Sequence, residues 1–188
     1  MKPPRFFNLL PLLALLLLGG CSSTVVQLEY QTVPTQSQYC DQRITVVPFE
    51  DATSKRTIGT NRKGQPLFSD IGVEQWATQA LQSQLKSEGC PVLRSKSAKS
   101  GFAVTGKVLE VSLREVSSTT YSSSLKIEVS LFEGGTEGRK IYSESFTSRM
   151  QQRTFPGVSV GREIMTATMQ ELMRNLVPTL IKRIRQAS

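Results

Sequence analysis

Hydrophobic and polar residues alternate most regularly in the second half of the chain. From Tyr121 to Leu131, apolar or aromatic residues occupy most odd positions, while serine, lysine and glutamate fill the even ones. This period of two predicts a strand with one buried and one solvent-facing side. The preceding run, from Phe102 to Leu113, changes parity near Val108 and predicts a strand with a bulge there. Residues 133–138 are rich in glycine and predict a hairpin loop leading to a strand over residues 140–153.

Two segments instead carry apolar residues at helical spacing. Asp70 to Glu88 presents one apolar stripe and ends at Gly89 and Pro91, which favours an amphipathic helix. Gly161 to Arg185 predicts a second helix, which Pro178 should kink or divide because its ring removes a main-chain hydrogen bond. The cations in the last turn favour the helix dipole, although a contact with acidic lipid is the alternative; they are Lys182, Arg183 and Arg185.

The first half of the chain holds shorter signals. Residues 43–49 and 91–95 each predict a strand, and with the intervening helix they form a parallel strand–helix–strand unit. Residues 57–59 and 66–68 flank a polar turn and are expected to pair as a small hairpin. Together these elements predict a two-layer α+β domain. It has a mixed, mostly antiparallel sheet of about five strands and two long helices packed on one face.

The N-terminus has the pattern of a secretory signal. A basic start is followed by an apolar run over residues 6–18 and then by Gly19, Gly20 and Cys21. This run is too short to cross a bilayer, since thirteen helical residues span roughly 20 Å. The pattern resembles a bacterial lipobox, which implies cleavage after residue 20 and acylation of Cys21. An ordinary signal peptide with an incidental cysteine is the alternative.

Removal of residues 1–20 leaves a segment of suitable size for one domain. Residues 21–39 are interpreted as a lipidated N-terminus and flexible tether, and residues 40–188 as a single α+β domain. Without Lys2 and Arg5, 21 basic residues face 15 acidic ones, a net charge of +6. Most of these dispersed cations are expected to be solvated surface; the alternative is attraction to anionic lipid headgroups or lipopolysaccharide phosphates, whereas the secretion signal argues against nucleic acid as a partner. Ser22 resembles the residue that sorts lipoproteins to the outer membrane.

Two cysteines remain when Cys21 is acylated. An even number of thiols in an oxidising compartment predicts a disulfide between Cys40 and Cys90. Each precedes one strand of the parallel pair, so both lie at the same edge of the sheet. A metal site is not expected, because the chain has no histidine and only two free thiols.

The long polar connection over residues 50–69 is the candidate contact surface. Loops of this length are often functional, and this one carries four cations against few acids. We expect them to contact an anionic lipid headgroup or an acidic partner, although a mobile loop with incidental charge is the alternative. The cations are Lys55, Arg56, Arg62 and Lys63.

The sequence lacks the residue sets of common enzymes. The absence of histidine removes Ser-His-Asp and Cys-His nucleophiles and histidine-based metal sites. A Ser–Lys pair within residues 95–100 is the remaining alternative, but an exposed loop does not desolvate a lysine. Gly134 and Gly135 precede no helix and therefore do not form a phosphate loop. The chain is predicted to be no enzyme and to need no cofactor.

Several short motifs carry a family resemblance. Residues 46–51 (VVPFED), followed by Ile58-Gly59, Asn61-Arg62 and a helix opening near Ile71, resemble the YajG-type lipoprotein family. The half from Phe102 to Ile184 is also similar to the ABC-type transport auxiliary lipoproteins and to the LPS-assembly lipoprotein. The resemblance implies a non-catalytic partner protein, anchored by lipid on the periplasmic side of the outer membrane. An accessory subunit of an envelope transport or assembly system is the first hypothesis. A structural or stress-related surface lipoprotein is the alternative.

Overall fold

Three long antiparallel strands form the centre of the fold. The computed structural model describes residues 24–34, 40–153 and 160–188. Strands β7 (Phe102–Ser117), β8 (Thr120–Glu133) and β9 (Arg139–Arg153) pair in sequence order. The pairing of β7 with β8 shifts register between Val108 and Glu110, which confirms the predicted bulge. Alternate residues of β8 from Ser123 to Leu131 are buried, as the period of two predicted.

Short strands line the free edge of β7 one after another. Strands β2 (Ile44–Val46), β3 (Glu50–Asp51) and β4 (Gly59–Thr60) each pair with it in parallel. Strand β6 (Val92–Arg94) adds to β2 in parallel, as predicted. Strand β5 (Pro66–Ser69) pairs antiparallel with β4, which confirms the hairpin. Strand β1 (Thr24–Val26) then adds to β5 in parallel.

The predicted fold class is therefore wrong. The chain folds into a mostly β structure with one mixed sheet of nine strands, not about five, and two helices. Five of the eight strand pairings are parallel, so the sheet is not mostly antiparallel by number of pairings. The unpredicted strands are β1 and β3, which have only three and two residues. Such short strands show no period of their own, because their hydrogen bonds depend on partners distant in sequence.

The two helices cover the core. Helix α1 (Val73–Ser87) packs against β2, β3, β6 and β7, while α2 (Val160–Ala187) packs against β7, β8 and β9. The helices also contact each other. Their buried side chains include Trp76, Leu81 and Leu172, none more than 1 % exposed. Helix α2 continues through Pro178 as one element, so of the predicted kink or division the division does not occur.

Hydroxyl groups join α2 to the sheet within the core. Ser123 on β8 and Thr168 on α2 are both buried, and their side-chain oxygens share a short hydrogen bond. The Thr168 hydroxyl also bonds the carbonyl oxygen of Ile164 at 2.7 Å. A buried hydroxyl without a partner is costly, so this pair fixes how α2 lies along β8.

Candidate functional site

The N-terminal segment, residues 24–34, lies against both helices. The carbonyl oxygen of Glu29 accepts hydrogen bonds from Trp76 Nε1 of α1 (3.0 Å) and Thr166 Oγ1 of α2 (3.1 Å). Gln170 Nε2 of α2 donates to the carbonyl oxygen of Gln31 at 3.0 Å. The sequence predicts a flexible tether for this part of the chain. In the structure it is instead a docked part of the domain.

Gln84 of α1 holds the end of the N-terminal segment. Its side-chain oxygen accepts from Tyr30 Oη (2.6 Å) and from the main-chain N–H of Val33 (3.1 Å). Its side-chain nitrogen donates to the carbonyl oxygen of Val33 (2.8 Å) and to Glu88 Oε1 (2.9 Å). Both donors and both acceptor positions of this fully buried amide are therefore used. Burial also raises the pKa of the Tyr30 hydroxyl.

The predicted lipidation site, Cys21, lies outside the described residues. Strand β1 begins at Thr24, three residues later in the sequence. Three residues span at most about 11 Å when fully extended. A lipid carried by Cys21 would therefore hold this edge of the sheet near the membrane surface. The lipidation itself stays a prediction.

Cys40 and Cys90 lie side by side as buried thiols. Their exposed fractions are 3 % and 5 %. Burial raises the pKa of the Cys90 thiol, and the neighbouring Cys40 thiol raises it further. The main-chain N–H of Ile44 donates to the carbonyl oxygen of Pro91 at 2.9 Å, which keeps the two segments together. The structure thus places the thiols in contact without joining them, and the disulfide stays a prediction.

The structure separates the four predicted contact cations into two pairs. Lys55 and Arg56 are exposed on the run between β3 and β4. Arg62 and Lys63 are exposed in the turn between β4 and β5. The Asn61 side chain accepts the main-chain N–H groups of Lys63 (3.0 Å) and Gln65 (2.9 Å), which orders this turn. The long connection is therefore mainly a structured hairpin rather than an open loop.

Strand register brings two further cations to the level of the β4–β5 turn. Arg114 on β7 pairs with Thr60 of β4, and Arg153 on β9 pairs with Thr120 of β8. Both side chains are exposed. At this end of the sheet, β7 and β9 finish and β8 begins. We call it the β7–β8 end. Sequence reasoning missed both residues, because only the pairing of distant strands brings them to the same end of the sheet as Arg62 and Lys63.

A cavity of about 430 Å³ opens at the β7–β8 end between β1 and the start of α2. Its apolar lining includes Val26, Leu67 and Leu113, and its polar lining includes Asp70 and Glu115. Both carboxylates accept main-chain hydrogen bonds: Asp70 Oδ1 from Leu28 N–H (2.8 Å) and Glu115 Oε2 from Arg62 N–H (3.1 Å). They are therefore structural groups that tie chain segments together.

Tyr121 also lines this cavity. Burial, and secondarily the carboxylate of Glu115, raises the pKa of its hydroxyl. Its hydroxyl therefore stays protonated near neutral pH and can donate a hydrogen bond. The mixture of apolar and polar lining residues suits the binding of an apolar group at a wet surface.

The described ranges contain neither a metal-binding cluster nor a membrane-spanning helix. Among residues 24–34, 40–153 and 160–188, no group of three or more cysteine, aspartate or glutamate side chains is arranged to hold a metal ion. Within the same ranges, neither helix combines the length and apolar character needed to cross a bilayer.

The fold has relatives among solved structures. Protein XCC0632 from Xanthomonas campestris, described under the family DUF330, matches with a TM-score of 0.69 and 11 % identity over 87 % of this chain and 98 % of its own. The hypothetical protein CT253 from Chlamydia trachomatis matches with a TM-score of 0.52 and 14 % identity, covering 77 % of this chain and 98 % of its own. No family model and no curated protein matches the sequence.

These likenesses concern the fold. At 11 % and 14 % identity, the shared feature is the arrangement of sheet and helices rather than any particular side chain. Neither description names an enzymatic activity. Neither protein is described as YajG-type, so that part of the family prediction stays without structural support.

Proposed function

We propose that this protein is a lipoprotein anchored through Cys21 to the periplasmic side of the outer membrane. There it acts as a non-catalytic accessory subunit that binds a protein partner or a lipid in an envelope transport or assembly system. The observation that carries the proposal is the signal that ends in Gly19-Gly20-Cys21, only three residues before β1. The anchor is thus joined directly to the folded domain.

The described residues agree with a binding role. The carboxylates beside the cavity hold main-chain groups, and the buried polar side chains Gln84 and Thr168 join elements of the fold. The sequence also resembles the YajG-type lipoproteins and the ABC-type transport auxiliary lipoproteins, which implies the same role. We therefore include membership of this group of small envelope lipoproteins in the proposal.

The anchor is tested by replacing Cys21. We expect wild-type protein to take up labelled palmitate and to sediment with the outer membrane, because two or three acyl chains hold a protein there. Cys21→Ala should lose both properties, whereas the matched control Ser23→Ala keeps them. Ser22→Asp should move the protein to the inner-membrane fraction of an enteric host. A mature-sized Cys21→Ala protein in the outer membrane would contradict the anchor.

The accessory role is tested by co-purification. The acylated protein is extracted in mild detergent and its stoichiometric companions are identified by mass spectrometry. A transport or assembly component that is recovered in fixed ratio supports the accessory role. Recovery of the protein alone at native abundance would favour a structural or stress-related lipoprotein instead.

A further inference from the structure

We propose that the β7–β8 end of the sheet rests on the anionic surface of the membrane that carries the lipid anchor, so that the domain has a fixed orientation. This inference rests on the proposed acylation of Cys21. It assigns a membrane-contact surface to Arg62, Lys63, Arg114 and Arg153.

Chain direction determines which end of the domain is near the anchor. Strand β1 starts at Thr24, which pairs with Leu67, and Leu67 pairs with Gly59, which in turn pairs with Leu113. Thr24 is therefore level with the last residues of β7. The opposite end of β7, at Phe102, is about 36 Å from the level of Leu113 at roughly 3.3 Å per residue. Only the β7–β8 end is within reach of three connecting residues.

A flexible tether would not impose this geometry. Seventeen free residues would span roughly 20–25 Å and let the domain rotate. The docking of the N-terminal segment removes that freedom, because its main chain is bonded to Gln84, Trp76 and Thr166. What remains between Cys21 and Thr24 reaches at most about 11 Å.

The β7–β8 end has the chemistry of an anionic lipid surface. The four cations are exposed and, within the described part of the chain, none of them forms an ion pair with a carboxylate. The nearest acid in the register, Glu115, accepts the main-chain N–H of Arg62. Cations held near an anionic membrane surface each contribute to binding there.

Exposed apolar side chains also favour this end. Among the described residues, three large apolar side chains are about half exposed, namely Val25, Leu93 and Val116 (51–52 %). Val25 and Val116 lie at the β7–β8 end, and Leu93 lies on β6 near the other end of β7. Apolar groups at the same end as cations are suited to the boundary between headgroups and acyl chains.

Charge alone would not select this end. The opposite end of the sheet also carries exposed cations, including Lys96 and Lys99. The short reach of the anchor therefore determines which end of the sheet faces the membrane. Lys96 and Lys99 at the opposite end supply a control with matched charge.

The test measures orientation on vesicles. Acylated full-length protein is reconstituted in phosphatidylglycerol vesicles or in phosphatidylcholine vesicles, each with a quencher on the lipid headgroups. A fluorophore is attached to Ser118→Cys, in the exposed β7–β8 turn, or to Ser97→Cys, in the exposed loop at the opposite end. The native Cys40 and Cys90 are buried and leave the introduced thiol as the reactive one.

We expect strong quenching at position 118 and weak quenching at position 97 in phosphatidylglycerol vesicles. R62Q/K63Q should lower the ratio of docked to undocked molecules roughly 30-fold, since each cation near such a surface is worth about a factor of five. K96Q/K99Q removes the same charge from the other end and should change nothing. Added salt should weaken quenching at position 118 in the wild type.

Equal quenching at the two positions, or stronger quenching at position 97, would overturn the orientation. Equal quenching would make the β7–β8 end a candidate surface for a protein partner instead of the membrane. Sedimentation of the vesicles separately reports the anchor: protein that stays in solution would overturn both proposals, whereas sedimented protein with equal quenching overturns this one alone.

Discussion

The side chain of Gln84 pairs with the main chain of Val33 through both its oxygen and its nitrogen, at 3.1 and 2.8 Å. This two-bond contact lets one helical side chain hold an extended segment as a neighbouring strand would. It joins residues 51 positions apart in the sequence. Together with the bonds to Glu29, it makes the N-terminal segment part of the folded domain.

We predict that Gln84→Leu lowers the free energy of unfolding by about 2 kcal/mol, because it leaves Tyr30 and Val33 without their buried partners. Denaturant titration measures this loss. Gln75→Leu is the matched control, since Gln75 is exposed on the same helix and its replacement should cost less than about 0.5 kcal/mol. Equal stability of the two variants would show that Gln84 does not hold the segment.

Trp76 should report whether the N-terminal segment is docked. It is the single tryptophan of the chain and is 1 % exposed, with its indole N–H bonded to Glu29. We expect emission typical of a buried indole in the wild type. Gln84→Leu should shift this emission to longer wavelength and increase quenching by acrylamide, while Gln75→Leu leaves both unchanged. A red-shifted wild-type spectrum would contradict the docking.

The contact of Cys40 with Cys90 leads to a prediction about oxidation. The oxidised protein should show no free thiol after denaturation. Closing a loop of this length should stabilise it by up to about 4 kcal/mol over the reduced form. Thiol labelling and denaturant titration of the two forms measure these quantities. Full labelling of both cysteines in protein taken from the periplasm would contradict the disulfide.

The reduced form should also lose stability in alkaline solution. The pKa of the Cys90 thiol is raised in the folded state, so the unfolded chain releases this proton first, near pH 8.5. The stabilising contribution is complete below that pH and falls as the pH rises. Between about pH 8.5 and 10, before tyrosines titrate, the reduced form should weaken while the oxidised form does not. Parallel slopes for both forms would contradict this.

Gly59 should tolerate no side chain. A Cβ atom there would lie 1.7 Å from the carbonyl oxygen of Leu113, so β4 pairs with β7 only because this position lacks one. We expect Gly59→Ala to cost roughly 3 kcal/mol of unfolding free energy and to release the turn that carries Arg62 and Lys63. The control Thr60→Ala changes an exposed side chain on the same strand. Equal unfolding midpoints would refute the close approach.

The long helices and strands were predictable because apolar residues recur along their own sequence with the period of a helix or a strand. The predicted helix over residues 70–88 is observed as Val73–Ser87, and the predicted helix over residues 161–185 as Val160–Ala187. The three long strands and the bulge after Val108 were likewise visible as alternation and its change of parity. In each case many adjacent residues repeat one signal.

The N-terminal segment and the shortest strands were not predictable in the same way. Residues 22–38 are rich in serine, threonine and glutamine and have no lasting period, which is typical of a linker. The order of residues 24–34 in the structure comes from side chains elsewhere, such as Gln84 and Thr166, which bond to the segment's main chain. Main-chain groups are the same in every sequence, so the sequence of the segment does not indicate which side chains bond to it.

The order of synthesis affects when the hydrogen bonds of the N-terminal segment can form. Glu29 and Thr166 are 137 residues apart, so the segment's carbonyl is made long before the helix that binds it. At 5–20 residues per second, synthesis separates the two by roughly 7–27 s. The bond from Thr166 can therefore form only after α2 is made, whereas the bonds from Trp76 and Gln84 need α1 alone. Until α2 is complete, the carbonyl oxygen of Glu29 has Trp76 but not Thr166 as a hydrogen-bond donor.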